Sequence, residues 1–181
     1  MQGQLYEAER QALYNWVKEI NPATALEVGT WKGGGSTYYI AQAITGTLHT
    51  CETNTEYYAE AKQLYKDNPR VKLYNIPSHI LINELIQEGN IPQFTFFDGP
   101  NDPNVTLNDF KQLNPYLLAG SYFACHDWDP IEHRDGDKII KSVKAELIRP
   151  YLEQSPEWEL REYLTAPESV GLVLWVKKYC R

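Results

Sequence analysis

The chain has 181 residues and carries 17 Lys and Arg against 24 Asp and Glu, a formal net charge of −7. That length suits one domain, 1–181, with a sizeable core, and an acidic balance without a basic run argues against a nucleic-acid partner. No apolar stretch nears the ~20 residues that span a bilayer, and Glu7, Glu9 and Arg10 stand where a signal peptide would be apolar. Cys51, Cys125 and Cys180 lack metal-type spacing, which points to reduced thiols and a cytoplasmic setting.

In chain order, Leu5, Ala12, Leu13, Trp16, Val17 and Ile20 recur at helical spacing and predict a helix over 4–20, stopped by Asn21-Pro22. A strand follows over 24–29, then a glycine-rich turn and a helix that Gly46 ends. Residues 47–52 read as a second strand, and Thr53-Asn54-Thr55-Glu56 as a capping box opening a helix to about Asp67. A third strand is predicted over 71–75 and a helix over 78–87. Phe94-Thr95-Phe96-Phe97-Asp98 is a short apolar run of the buried parallel type.

Further on, Thr106-x-x-Asp109 is expected to cap a helix that stops before Pro115, and 121–126 forms a fifth strand. Ile139, Ile140, Val143, Leu147 and Leu152 predict another helix, ended or kinked by Pro150. Residues 158–164 and 170–177 read as two strands whose connection is too short for a crossover helix, so they must be antiparallel. The pattern is α/β: a doubly wound, seven-stranded sheet, mostly parallel with an antiparallel C-terminal strand pair.

The stretch Ala25 to Thr37 organises this pattern. A strand–turn–helix of this kind brings close-approaching backbone and a helix N-terminus to one spot. The turn lacks the G-x-G-x-x-G of dinucleotide sites, and Glu27 would repel a pyrophosphate. An acid there suits a ligand carrying positive charge.

Glu27-x-Gly29-x-x-x-Gly33 resembles motif I of the class I S-adenosylmethionine (SAM) methyltransferases, although Trp31 stands at the place of that motif's middle glycine. The resemblance implies a Rossmann-like fold and SAM as cofactor, held by Glu27, Gly29, Thr30, Trp31, Gly33, Gly35 and Ser36. Glu52, at the end of the second strand, is placed to accept hydrogen bonds from both ribose hydroxyls. Asn75-Ile76-Pro77-Ser78 lacks the family's acid after the third strand, which leaves backbone groups or Ser78 to meet the adenine.

Phe97-Asp98-Gly99 resembles the I-D-G of small-molecule O-methyltransferases, some of which hold a divalent metal with acids at the ends of the fourth and fifth strands. The matching residues are Asp98, His126 and Asp127, so a divalent metal on Asp98 and Asp127 is a candidate, although Mg²⁺ prefers oxygen ligands to His126. His126 or His133 is a candidate general base, and Asp98 and Asp127 complete the catalytic set. The expected activity is methyl transfer to a small-molecule acceptor, at oxygen. The alternative is a SAM- or nucleotide-binding module without transfer activity.

Cover for the carboxyl edge is expected from the loop 127–137, contributing Trp128 or His133 as a mobile lid, with the first helix or a second subunit, in a homodimer, as the alternatives.

Overall fold

The structure, a computed structural model, describes residues 5–130, 132–135, 138–165 and 169–179, and side chains within 131–140 lie outside that description. Its elements in chain order are α1 (Glu7–Ile20), β1 (Thr24–Val28), α2 (Ser36–Ala43), β2 (Thr47–Cys51), α3 (Thr55–Leu64), β3 (Val71–Tyr74), α4 (Ser78–Glu88) and β4 (Phe94–Phe97). There follow α5 (Pro103–Leu113), β5 (Tyr122–His126), β6 (Glu132–Asp135), β7 (Lys138–Lys141), α6 (Ile148–Glu153), β8 (Trp158–Leu164) and β9 (Leu172–Lys177).

Seven strands form one sheet in the order β3-β2-β1-β4-β5-β9-β8. The first five are parallel, and β9 runs antiparallel between β5 and β8. The expected doubly wound sheet with its antiparallel C-terminal pair is therefore present. Alternate residues of each strand face opposite sides, as the period of two requires. Ala25, Phe94, Phe96 and Ala124 pack with Leu13, Trp16 and Ile40 beneath α1 and α2. Leu26, Phe97, Phe123 and Cys125 pack with Phe110 and Trp158 on the other face.

β8 is an edge strand, and its pairing with β9 shifts register between Leu160 and Glu162, so Arg161 is an extra, unpaired residue. Its guanidinium reaches back to the Tyr122 hydroxyl at 2.7 Å and to Glu19.

Three expectations need correction. The helix predicted over 139–152 is instead the second strand of a β6–β7 hairpin, a turn, and the short α6. The cause is tertiary: the Asn101 carboxamide accepts from the N–H groups of Val143 and Lys144 at 2.8 and 3.0 Å and donates to the Lys141 carbonyl at 2.8 Å. Those backbone groups are satisfied away from a helix, so none is needed there. Pro150 consequently lies in the first turn of α6, where its missing N–H costs nothing.

The two cap assignments also shift. Asn54, not Thr53, caps α3, accepting from Glu56 and Tyr57 N–H at 2.9 and 3.1 Å. Asp102 rather than Thr106 caps α5, with Pro103 at its first position. Among the described residues no helix is long and apolar enough to cross a membrane.

Candidate active site

The strand order reverses between β1 and β4: β2 and β3 lie to one side of β1, β5 to the other side of β4. Ligands of doubly wound sheets bind in the crevice such a reversal opens at the carboxyl ends of the strands. A cavity of about 540 Å³ lies there. Gly29 and Trp31 after β1, Glu52 after β2, Ser78 after β3 and Asp98 after β4 lie on its wall. So do Thr30, Gly35 and Ser36.

Gly29, in the turn after β1, packs against the backbone after β4. Its φ is +99°, and a Cβ there would stand 2.4 Å from the Asp98 carbonyl oxygen. Only glycine allows both the left-handed turn and the approach. Trp31, at φ +49°, also turns left-handed and points its N–H at Glu52 Oε2, 2.9 Å away. The other Glu52 oxygen accepts from Asn54 N–H at 2.8 Å. Two backbone donors thus fix the carboxylate at the cavity wall, and each oxygen keeps a lone pair for a ligand hydroxyl.

Glu27 and Gly33 stand behind this wall. Gly33 packs against Tyr65, whose hydroxyl donates to the Gly33 carbonyl at 2.6 Å. Glu27 is fully buried and accepts from Ser36, Thr37 and Thr50 hydroxyls at 2.6, 2.7 and 2.7 Å. The carboxylate expected to meet a cationic ligand instead ties the end of β1 to α2 and β2.

Burial without a cationic partner raises the Glu27 pKa to about 7 against the lowering effect of the three hydroxyl donors. A carboxyl whose folded pKa exceeds its ordinary 4.5 stabilises the fold fully below that value and loses the contribution as pH rises through about 7. The loss amounts to about 3 kcal/mol. Urea unfolding at intervals from acid to neutral pH should show wild-type stability falling faster than that of Glu27→Gln, and parallel slopes would refute the assignment.

At the ends of β4 and β5 lies a second cluster. Asp98 Oδ1 is 3.1 Å from His126 Nδ1 and 2.7 Å from Lys144 Nζ. Lys144 Nζ is also 2.6 Å from Asp127 Oδ2, and Ser142 donates to Asp127 Oδ1 at 3.1 Å. His126 Nε2 lies 3.3 Å from Glu9 of α1, which accepts further bonds from Ser169 and from the N–H of Tyr6. Burial pushes the Asp98 carboxyl up, but Lys144 and His126 outweigh it and hold the group well below the carboxylate range. For His126 burial works downward, and Asp98, Glu9 and Asp127 overcome it and raise the pKa to about 10.

Those values revise the part given to His126. An imidazolium that donates through both nitrogens and is 2% exposed holds its proton at neutral pH and cannot accept one from a substrate. Asp98 reaches the cavity, so the acid of the pair is the one a ligand meets. Trp128 lies in the core against Trp175, with ring centroids 6.0 Å apart, and is not among the residues on the wall of the cavity. The side chain of His133 lies outside the described residues.

The candidate metal ligands are brought together: Asp98, His126 and Asp127 offer ligand atoms within 4.8 Å of one another. Their chemistry does not fit a divalent ion. Asp98 and Glu9 occupy the two nitrogens of His126, and the two carboxylates already share the ammonium of Lys144.

Glu9 and Lys144 were not singled out in the sequence. The signal for Glu9 was its place four residues before Leu13, on a helix face otherwise apolar. Asp109 was read as a helix cap, yet it is buried inside α5 and accepts from the Ser78 hydroxyl at the cavity edge. Burial pushes the Asp109 carboxyl up.

This strand order, with the cavity at the glycine turn, is a fold shared with solved O-methyltransferases. Solved structures bear the likeness out across nearly the whole chain. An O-methyltransferase from Bacillus cereus in complex with S-adenosylhomocysteine (SAH) is 17% identical with a TM-score of 0.72, matching 97% of this chain and 83% of its own. TomG from Streptomyces achromogenes, an O-methyltransferase of tomaymycin synthesis in complex with SAM, is 17% identical with a TM-score of 0.74, over 96% and 81%. SAH-bound PaMTH1 from Podospora anserina is 16% identical with a TM-score of 0.72, over 97% and 80%. No family model matches the chain.

Proposed function

We propose that the protein is a SAM-dependent methyltransferase that transfers a methyl group to an oxygen of a small-molecule acceptor. The observation that carries this is Glu52, a carboxylate oriented by two backbone N–H groups on the wall of a cavity at the sheet's reversal point. A vicinal diol is the ligand such a carboxylate suits. The cavity volume lies within the range of small-ligand sites, roughly 300–1,000 Å³, and the glycine turn lets a ligand approach backbone that a Cβ would block. The residues fit SAM.

Gly29, Thr30, Trp31, Gly35 and Ser36 form the turn that would receive the methionine part, with Glu27 and Gly33 holding its shape from behind. Ser78, fixed by Asp109, marks the adenine edge. Asp98 faces the cavity from β4 and orients either the amino group of the cofactor or the acceptor. When bound, SAM supplies a methyl group on a sulfonium. The chain's own contribution is placement of the acceptor in line with that methyl, a proximity effect, in a site bounded by the apolar side chains of Leu5 and Pro100. Buried thiols at Cys51 and Cys125 accord with a cytoplasmic setting.

Calorimetric titration with SAM, SAH and NAD tests the proposal. SAM and SAH should bind and NAD should not, while Glu52→Ala should lose roughly 2–3 kcal/mol of SAM affinity. Preference for NAD, or full SAM affinity in folded Glu52→Ala, would overturn it. Transfer activity toward phenolic and other hydroxyl acceptors then separates an enzyme from a module that only binds.

A further inference from the structure

The cluster at the ends of β4 and β5 already contains its cation. We infer that the ammonium of Lys144 occupies the place of a divalent ion between Asp98 and Asp127, and that the protein works without a metal at this centre.

Nζ lies 2.7 Å from one carboxylate and 2.6 Å from the other. The lysine is 2% exposed, and its backbone N–H is bound by Asn101 Oδ1 at 3.0 Å, as is that of Val143. The ammonium is therefore presented by a braced turn rather than by a free side chain. His126 sets its two nitrogens against Asp98 and Glu9, at 3.1 and 3.3 Å.

A divalent ion would have to draw both Asp98 and Asp127 away from Lys144. Mg²⁺ requires oxygen ligands at about 2.0–2.1 Å in octahedral array, and entering here it would strand a buried ammonium beside it without a partner. The trio that looks like a metal site is thus satisfied internally. Lys144 acts as a positioning residue: it holds the two carboxylates at a fixed separation, with Asp98 on the cavity wall.

The test is uptake of Mn²⁺ by the full chain, followed by the electron paramagnetic resonance of the free ion, with SAM calorimetry on the same samples. Wild type should take up no stoichiometric Mn²⁺ at millimolar concentration. Lys144→Met, which removes the charge and keeps the length, should gain about one ion per chain, and adding Asp98→Asn should abolish the gain. One Mn²⁺ per wild-type chain, lost on Asp98→Asn, would overturn the inference. So would a folded Lys144→Met protein that takes up none. If Lys144→Met does not fold, the wild-type and Asp98→Asn titrations still decide. The inference rests on the methyltransferase reading only for its catalytic meaning: absent SAM binding would refute that reading and leave the ion result standing.

Discussion

Alanine at Gly29 is expected to cost more than about 4 kcal/mol, enough to leave little folded protein. Two penalties combine. A Cβ at φ +99° is strained in itself, by about 1–2 kcal/mol. It would also meet the Asp98 carbonyl oxygen at 2.4 Å, its carbon at 2.7 Å and Gly99 Cα at 2.9 Å. All three are backbone atoms, continuous with the central strand β4, so relief means parting β1 from β4. Gly89 is the control: its φ is +73°, but nothing lies within 4 Å of the added methyl. Gly89→Ala should show the conformational part alone. Equal shifts in urea midpoint for the two variants would mean that the close approach contributes nothing.

Glu9→Ala is expected to cost about 3–5 kcal/mol, the usual penalty for removing one member of a buried ion pair. Glu9 is fully buried, and burial would push its pKa up, but the imidazolium of His126 and the Ser169 and Tyr6 donors outweigh that and lower it. The variant strands those donors and leaves His126 with Asp98 at 3.1 Å and Asp127 at 3.9 Å. The His126 pKa, raised to about 10, should then fall. A histidine with a raised pKa stabilises the fold fully below its ordinary value of 6.5 and loses the contribution as pH rises through about 10. In Glu9→Ala that loss should be smaller and complete at lower pH. Urea unfolding and NMR titration of the imidazole measure both effects; a cost below about 1 kcal/mol would show the contact to be incidental.

The sheet was legible because its cues are local. Phe94-Thr95-Phe96-Phe97 is apolar but for Thr95 and became a strand buried on both faces. The Glu27-x-Gly29 turn announced the crevice, since a glycine between a strand end and a helix has few other uses. What escaped reading depended on contacts distant in sequence. Ile139, Ile140 and Val143 fit a helix as well as a strand, and the choice was made by Asn101, some forty residues earlier. Glu27 was recognised as an acid at the right place, but its three hydroxyl partners come from α2 and β2 and turn it away from the ligand. A charge inside an apolar stripe, as at Glu9, is the kind of local contradiction that marks a buried ionic centre.

The bulge in β8 bears on how the protein behaves when concentrated. An edge strand with a regular ladder offers its free N–H and C=O groups as a template for another chain. Here the extra residue Arg161 breaks the ladder midway, and it stands between Glu159 and Glu162 in a strand exposed along most of its length. A foreign strand approaching this edge meets a broken register and a row of charges, although Leu160 and Tyr163 offer it apolar surface. The irregularity guards the sheet against growth by strand addition, the first step toward fibrous aggregation.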